Sequence, residues 1–256
     1  MIYVQWIGFL TLFRKETIRI FRIWMQTLLP SVMTTALYYL IFGHVIGTRI
    51  GPIHQFTYIQ FIVPGLVMMA VITNAYTNVV SSVFSAKFQR QIEELLVSPL
   101  SDSVILCGYL SGGILRSCLV GLLVLGISLF FCPLSILHPW LVVISMLLTS
   151  ILFSLLGFLN AVFAKKFDDI TIVPTFILTP MTYLGGVFYS IDLLPSFFHH
   201  LSLFNPILYL VNLFRFALIG VTDISVKAAF GMMLVLIVIL WSGCFYTLRK
   251  GIGFRH

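Results

Sequence analysis

Residues 58–103 read YIQFIVPGLVMMAVITNAYTNVVSSVFSAKFQRQIEELLVSPLSDS. The first 28 positions, Tyr58 to Ser85, contain no Asp, Glu, Lys or Arg. The last 17, Lys87 to Ser103, hold five of the chain's 23 such residues (15 basic plus 8 acidic). A helix of the first kind is long enough to cross roughly 30 Å of hydrocarbon, which takes about 20 residues. The stretch therefore reads as a membrane span running into a loop that faces water.

Comparable apolar runs lie at about 28–47, 104–132, 138–164, 170–189 and 227–248, making six expected spans with 58–85. The composition agrees: 60% of residues are hydrophobic, 9% are charged, and the mean hydropathy is +1.08. A soluble domain is about 45–50% apolar and about 25% charged. The expectation is an all-α polytopic membrane protein forming one unit over 1–256, with no soluble domain, internal repeat or low-complexity segment. The net charge of +7 does not signal nucleic acid, because the basic residues are spread over the ends of apolar runs. With the N-terminus placed inside, eleven basic residues fall inside: Arg14, Lys15, Arg19, Arg22, Lys87, Arg90, Lys165, Lys166, Arg249, Lys250 and Arg255. Only Arg49, Arg215 and Lys227 fall outside, so the positive-inside rule puts both termini in the cytoplasm.

Residues 5–25 have Phe9, Phe13, Ile20 and Trp24 on one helical face and Lys15, Arg19 and Arg22 on another. That pattern fits an interfacial amphipathic helix with its cations near anionic lipid; the other reading is a first span with a long basic flank. Pro174 and Pro180 should kink the fifth span. After it, SIDLLPSFFHHLSLFNPILYLVNLFR (190–215) is apolar but cut by Pro195 and Pro206. Short re-entrant helices in the outer leaflet fit it best; a seventh span would move Arg249, Lys250 and Arg255 outside.

The chain has no GxxxxGK[ST] phosphate loop, HExxH or GxSxG, so no catalytic, cofactor-binding or metal-binding residue is expected. His199 and His200 are adjacent and point to different sides of a helix, which is unsuited to sharing a metal. Cys107, Cys118, Cys132 and Cys244 form no CxxC pair and read as embedded thiols. Arg116 is the one clear ionisable residue within a span, and no acid accompanies it in any span. This counts against an ion-coupled carrier. Arg116 either meets an anionic substrate or headgroup on a transport pathway, or faces a partner helix or watery cavity. The GxxxG spacings Gly43/Gly47 and Gly108/Gly112 permit close helix approach without locating it.

In the opening stretch, Phe88, Ile92, Leu95 and Leu96 make an apolar stripe, with Lys87, Arg90, Gln91, Glu93 and Glu94 around it. Arg90 and Glu94 have i, i+4 spacing, and Pro99 ends the run. Residues 87–98 thus read as a short amphipathic helix on the cytoplasmic side. It is either an interfacial anchor or a docking element for a soluble partner.

EELLVSPLSDSVILCGYL (93–110) resembles the segment that follows the second span of ABC-2 type transport permeases. MTYLGGVFYSIDLLPSFFHHLSLFNPILYLVNLFR (181–215) is similar to that family's signature before the last span. FIVPGLVMMAVITNAYTNV, FAKKFDDITIVPTF and TYLGGVFYS look most like the YadH-type inner-membrane branch. The resemblance covers nearly the whole chain. It implies a permease subunit of an ATP-driven exporter in a bacterial inner membrane, paired with a second copy and with a separate ABC ATPase. ATP and Mg²⁺ would be bound by that partner and none by this chain. It also implies that 87–98 is the coupling helix, with Arg90, Glu93, Glu94 and Leu95 as ATPase-coupling candidates. Gly185, Gly186, Phe188, Tyr189, Pro195, Asn205, Pro206 and Arg215 fall on the family's outer region. The cargo (lipid, glycan, drug or peptide) is not chosen by the resemblance. The alternative function is a membrane scaffold or channel subunit without ATP-coupled transport.

Overall fold

Long uncharged runs leave each backbone N–H and C=O to be satisfied within its own segment, which in lipid means helices. The computed structural model describes residues 2–51, 53 and 55–253; it is 82% helical, with no strand among the described residues. Arg255 lies outside the described residues. In chain order the helices are α1 (Ile2–Arg22), α2 (Trp24–Gly43), α3 (Tyr58–Phe88), α4 (Gln91–Val97), α5 (Asp102–Phe131), α6 (Pro139–Phe163), α7 (Asp169–Leu184), α8 (Ser196–Leu203), α9 (Pro206–Ile219) and α10 (Val226–Lys250). Helical structure continues beyond α2, through a π-helical stretch, to Ile50.

Five of these, α2, α3, α5, α6 and α10, are long and apolar enough to cross a membrane. The expected fifth span is shorter than its sequence run. As α7 it ends at Leu184 instead of residue 189 and rises only about 24 Å. Its middle, Val173–Leu178, is π-helical, and the N–H and hydroxyl of Thr179 both donate to the Pro174 carbonyl. Pro180 offers no N–H to repair the ladder there. Residues 190–215 contain a helix pair, α8 and α9, bent by 85° at Phe204–Asn205, a geometry that a re-entrant element and a broken span share.

Helix α3 is the axis. Every residue from Phe61 to Met68 is buried, and α5 and α6 pack along it, with α9 also in contact. Helix α10 closes the outside of α6 and α9.

The N-terminal segment is a helix separate from the first span, and shorter than expected. It ends at Arg22 instead of residue 25, because the backbone breaks at Ile23 (φ −116°, ψ 29°), so Trp24 belongs to α2. Helix α1 docks lengthwise on α5 through Leu12, Glu16 and Ile20. Trp6, Phe21 and Trp24 stay exposed, while Phe9 and Phe13 are half-buried. Gly108 and Gly112 permit the approach: a Cβ there would lie 2.7 Å from Leu12 Cβ and 2.8 Å from Glu16 Cβ, respectively. One of the GxxxG pairs thus serves a contact within the chain.

Candidate functional site

Three groups of residues stand out: the loop helix at the end of the bundle rich in Lys and Arg, a polar column inside the bundle, and a cap at the far end.

The loop helix is shorter than 87–98. Lys87 and Phe88 complete α3, and the chain reverses at Arg90, which is left-handed (φ 60°, ψ 8°). Lys87 turns inward, donating to the Val162 and Ala164 carbonyls at 2.6 and 2.8 Å, and so caps the end of α6. Arg90 precedes the helix, and the expected Arg90–Glu94 ion pair is not formed. On α4, Ile92 is buried and Leu95 and Leu96 are half-buried against the core. Phe88 instead stacks on Phe84 and meets Phe167 edge-on. Glu93, Glu94 and Val97, three and four residues apart, project outward together, and Val97 is 88% exposed. Both acids lie in the first turn, where the helix dipole favours them.

Helix α1 holds this loop in place. The Gln5 side chain donates to the Pro99 carbonyl at 2.7 Å and accepts from the Ser101 N–H at 2.8 Å. Lys15 donates to the Gln91 side chain at 3.1 Å.

The polar column runs along α3 on Asn74, Asn78 and Ser82, successive at four-residue spacing and all buried. At its Lys/Arg-rich end, Glu16 is only 1% exposed. Its carboxylate accepts from the Ser82 hydroxyl at 2.5 Å and from Arg19 at 2.7 Å. The same Arg19 nitrogen donates to the backbone and side-chain oxygens of Asn78. Further along, Arg116 donates to Asn74 Oδ1 at 3.1 Å and to the Thr27 carbonyl at 3.3 Å, while Asn74 donates to Ser31. Arg116 therefore spends donors on joining α5 to α3 and α2. The sequence reading passed over Glu16, Asn74, Asn78 and Ser82; the four-residue recurrence of polar side chains in an apolar helix was the available signal.

One face of α3 remains partly open. Its least buried positions beyond Met68 and before the final turn are Met69, Thr73, Thr77, Ser81 and Ser85. Thr73, Thr77 and Ser81 donate to their own helix carbonyls, which leaves hydroxyl oxygens free to accept. Between this face and α2 lies a cavity of about 210 Å³, reaching Ser31, Thr34, Thr35 and Tyr38. Its far end adjoins an aromatic cluster in which Phe188 touches Tyr38, Phe42 and Tyr183.

The family-signature residues assemble the far-end cap. Gly186 is left-handed (φ 69°), and its carbonyl accepts from Arg215. Gly185 lies against Ile207. The Phe188 carbonyl accepts from Tyr58, and the Tyr189 hydroxyl donates to Tyr183. Pro195 precedes α8. Asn205 caps α9 by accepting from Ile207 N–H and donates to the Met181 carbonyl, with Pro206 opening the helix. Arg215 is fully buried, 3.9 Å from Asp223 and 4.0 Å above the Phe61 ring. These are fold-determining contacts between α3, α7 and α9.

Comparison with known proteins agrees with this architecture. The family model for the ABC-2 type transporter matches residues 8–219. The chain is 53% identical to the inner membrane transport permease YadH of Escherichia coli (strain K12) over 256 residues, all of both chains. It is 24% identical over 220 residues to nodulation protein J of Rhizobium leguminosarum bv. viciae, covering 84% of this chain and 83% of that protein. With the family match spanning α1 to α9, the chain belongs to the ABC-2 type transporter family.

Proposed function

We propose that this chain is the membrane-spanning permease subunit of an ATP-driven exporter in a bacterial inner membrane, with both termini cytoplasmic. It works as two copies with a separate ATPase, which carries the ATP and Mg²⁺. The outward face of α4 carries this reading. Glu93, Glu94 and Val97 project from a helix whose other side is locked into the bundle, and which is tied to α1 at Gln91 and through the Pro99–Ser101 turn that follows it. A push on that face would pass through Ile92 into α3 and through Gln5 into α1. An interfacial anchor needs no such fixing and gains little from two acids at an anionic lipid surface. The open hydroxyl-bearing face of α3, beside the cavity against α2, supports a substrate route completed by the second copy; closed twofold dimers are the commonest symmetric assembly.

The test uses tagged chain purified from its native membranes. A co-purifying ATPase and two copies of the chain are expected. Glu93→Lys/Glu94→Lys should leave insertion and dimerisation intact and weaken ATPase association at least about tenfold, as loss of interface charge does. Unchanged association and transport in that variant would reduce α4 to an anchor.

A further inference from the structure

At the Lys/Arg-rich end, a cavity of about 540 Å³ opens between α1, the last turns of α3 and the start of α4. Three cations, Lys15, Arg19 and Arg22, line it, against one acid, Glu16. That acid is already spent, one oxygen on Ser82 and the other on Arg19. Among the described residues no carboxylate pairs with Lys15 or Arg22, and Lys15 reaches only the neutral Gln91 amide. Arg19, which lines the cavity, keeps a buried Nε with no acceptor. A buried donor without an acceptor is costly, so this unused donor together with a positive surplus calls for an anion with several acceptor oxygens. The same cavity includes Ile18 and Ile23, both exposed, and Phe21 and Trp24 beside them are exposed too. Apolar side chains at the rim give an attached hydrocarbon chain a place to lie.

We propose that this cavity binds the phosphate headgroup of an anionic amphiphile taken from the adjacent leaflet. Lys15 and Arg22 hold the phosphate at the mouth, Arg19 offers donors at the wall, and the chain leaves past Ile18 and Ile23. The site lies at one end of the open face of α3, with Ser85 common to both. That the bound amphiphile is cargo rests on the exporter reading; the binding itself does not.

The experiment is done on the purified full chain without ATPase, so its outcome is independent of whether an ATPase partner exists. Phosphatidylglycerol and phosphatidylcholine binding are measured by native mass spectrometry and by titration in detergent. Phosphatidylglycerol should bind the tighter of the two. Lys15→Gln/Arg22→Gln should lower its affinity by about tenfold or more, the scale of two surface cations acting on an anionic headgroup, with phosphatidylcholine unaffected. Lys250→Gln, which removes an exposed cation outside the cavity, should change neither. If the double variant does not fold, Arg22→Gln alone should still cost a few-fold. Inorganic phosphate, lacking a chain, should compete only at far higher concentration than the lipid. Absence of a phosphatidylglycerol preference, an equal loss in Lys250→Gln, or displacement by equimolar inorganic phosphate each overturns the proposal.

Discussion

Arg215 shows how much a single ionisable side chain can fix in this protein. It joins Gly186, Asp223 and the Phe61 ring while wholly buried, so removing it strands a carboxylate as well as a carbonyl. Arg215→Met should cost roughly 3–5 kcal/mol, the usual penalty for breaking a buried pair from one side. Arg215→Met with Asp223→Asn should recover part of it, since the residual charge is gone. Thermal unfolding in detergent of the two variants and the parent checks this. Arg215 and Arg116 were both visible in the sequence as cations in apolar surroundings. Their partners were not, because nothing local marks Asn74 or the Thr27 carbonyl as opposite Arg116. Glu16 was hidden for a related reason. In a segment with Lys15, Arg19 and Arg22, a lone acid reads as part of a solvated face, and only the tertiary contact with Ser82 shows otherwise.

Among the elements, α4 repays the closest look. Its existence and its outward acids follow from the alternation of apolar and charged residues over 88–96, but its start does not. Phe88, Ile92, Leu95 and Leu96 keep helical spacing straight through the break, and no Gly or Pro marks Gln89–Arg90. The left-handed turn there is imposed by packing, which brings Ile92 beneath the bundle while Lys87 caps α6. Arg90→Gly should therefore be tolerated or stabilise the fold by up to about 1 kcal/mol, whereas Arg90→Ile should destabilise it by about as much, since a branched side chain is strained at positive φ. Unfolding midpoints in detergent test the pair. Equal midpoints for Gly and Ile would mean that the turn is not held in that conformation. Helix α7 offers the opposite lesson. Its two prolines announced irregularity, yet how far the run falls short of a full span depends on Gly185 and Gly186 diverting the chain toward α9.

At the scale of the molecule, the apolar runs already determined a helical membrane bundle with a broken pair near its C-terminal end, and charge asymmetry is the basis for the proposed orientation. Which helices touch was not legible, because apolar surfaces facing lipid and facing protein have the same composition. The proposed orientation yields a direct prediction. In a Cys-free background, single cysteines at Ile136 and His200, exposed at the far end, should react with an impermeant thiol reagent added to the periplasmic side. Cysteines at Ser101 and Asp168, exposed at the Lys/Arg-rich end, should react only after the membrane is opened. Outside labelling at Asp168 would reverse the orientation. The seat of α1 on Gly108 and Gly112 also dictates a timetable. Glu16 leaves the ribosome 96 residues before Gly112 (112 − 16), an interval of roughly 5–20 s at ordinary synthesis rates. Throughout that interval α1 has no Gly108–Gly112 groove to occupy, and for the first 66 of those residues (82 − 16) its acid has no Ser82 to meet either. The exposed Trp6 and Phe21 give the waiting helix a foothold at the lipid boundary, so assembly has to draw α1 back onto a helix made well after it.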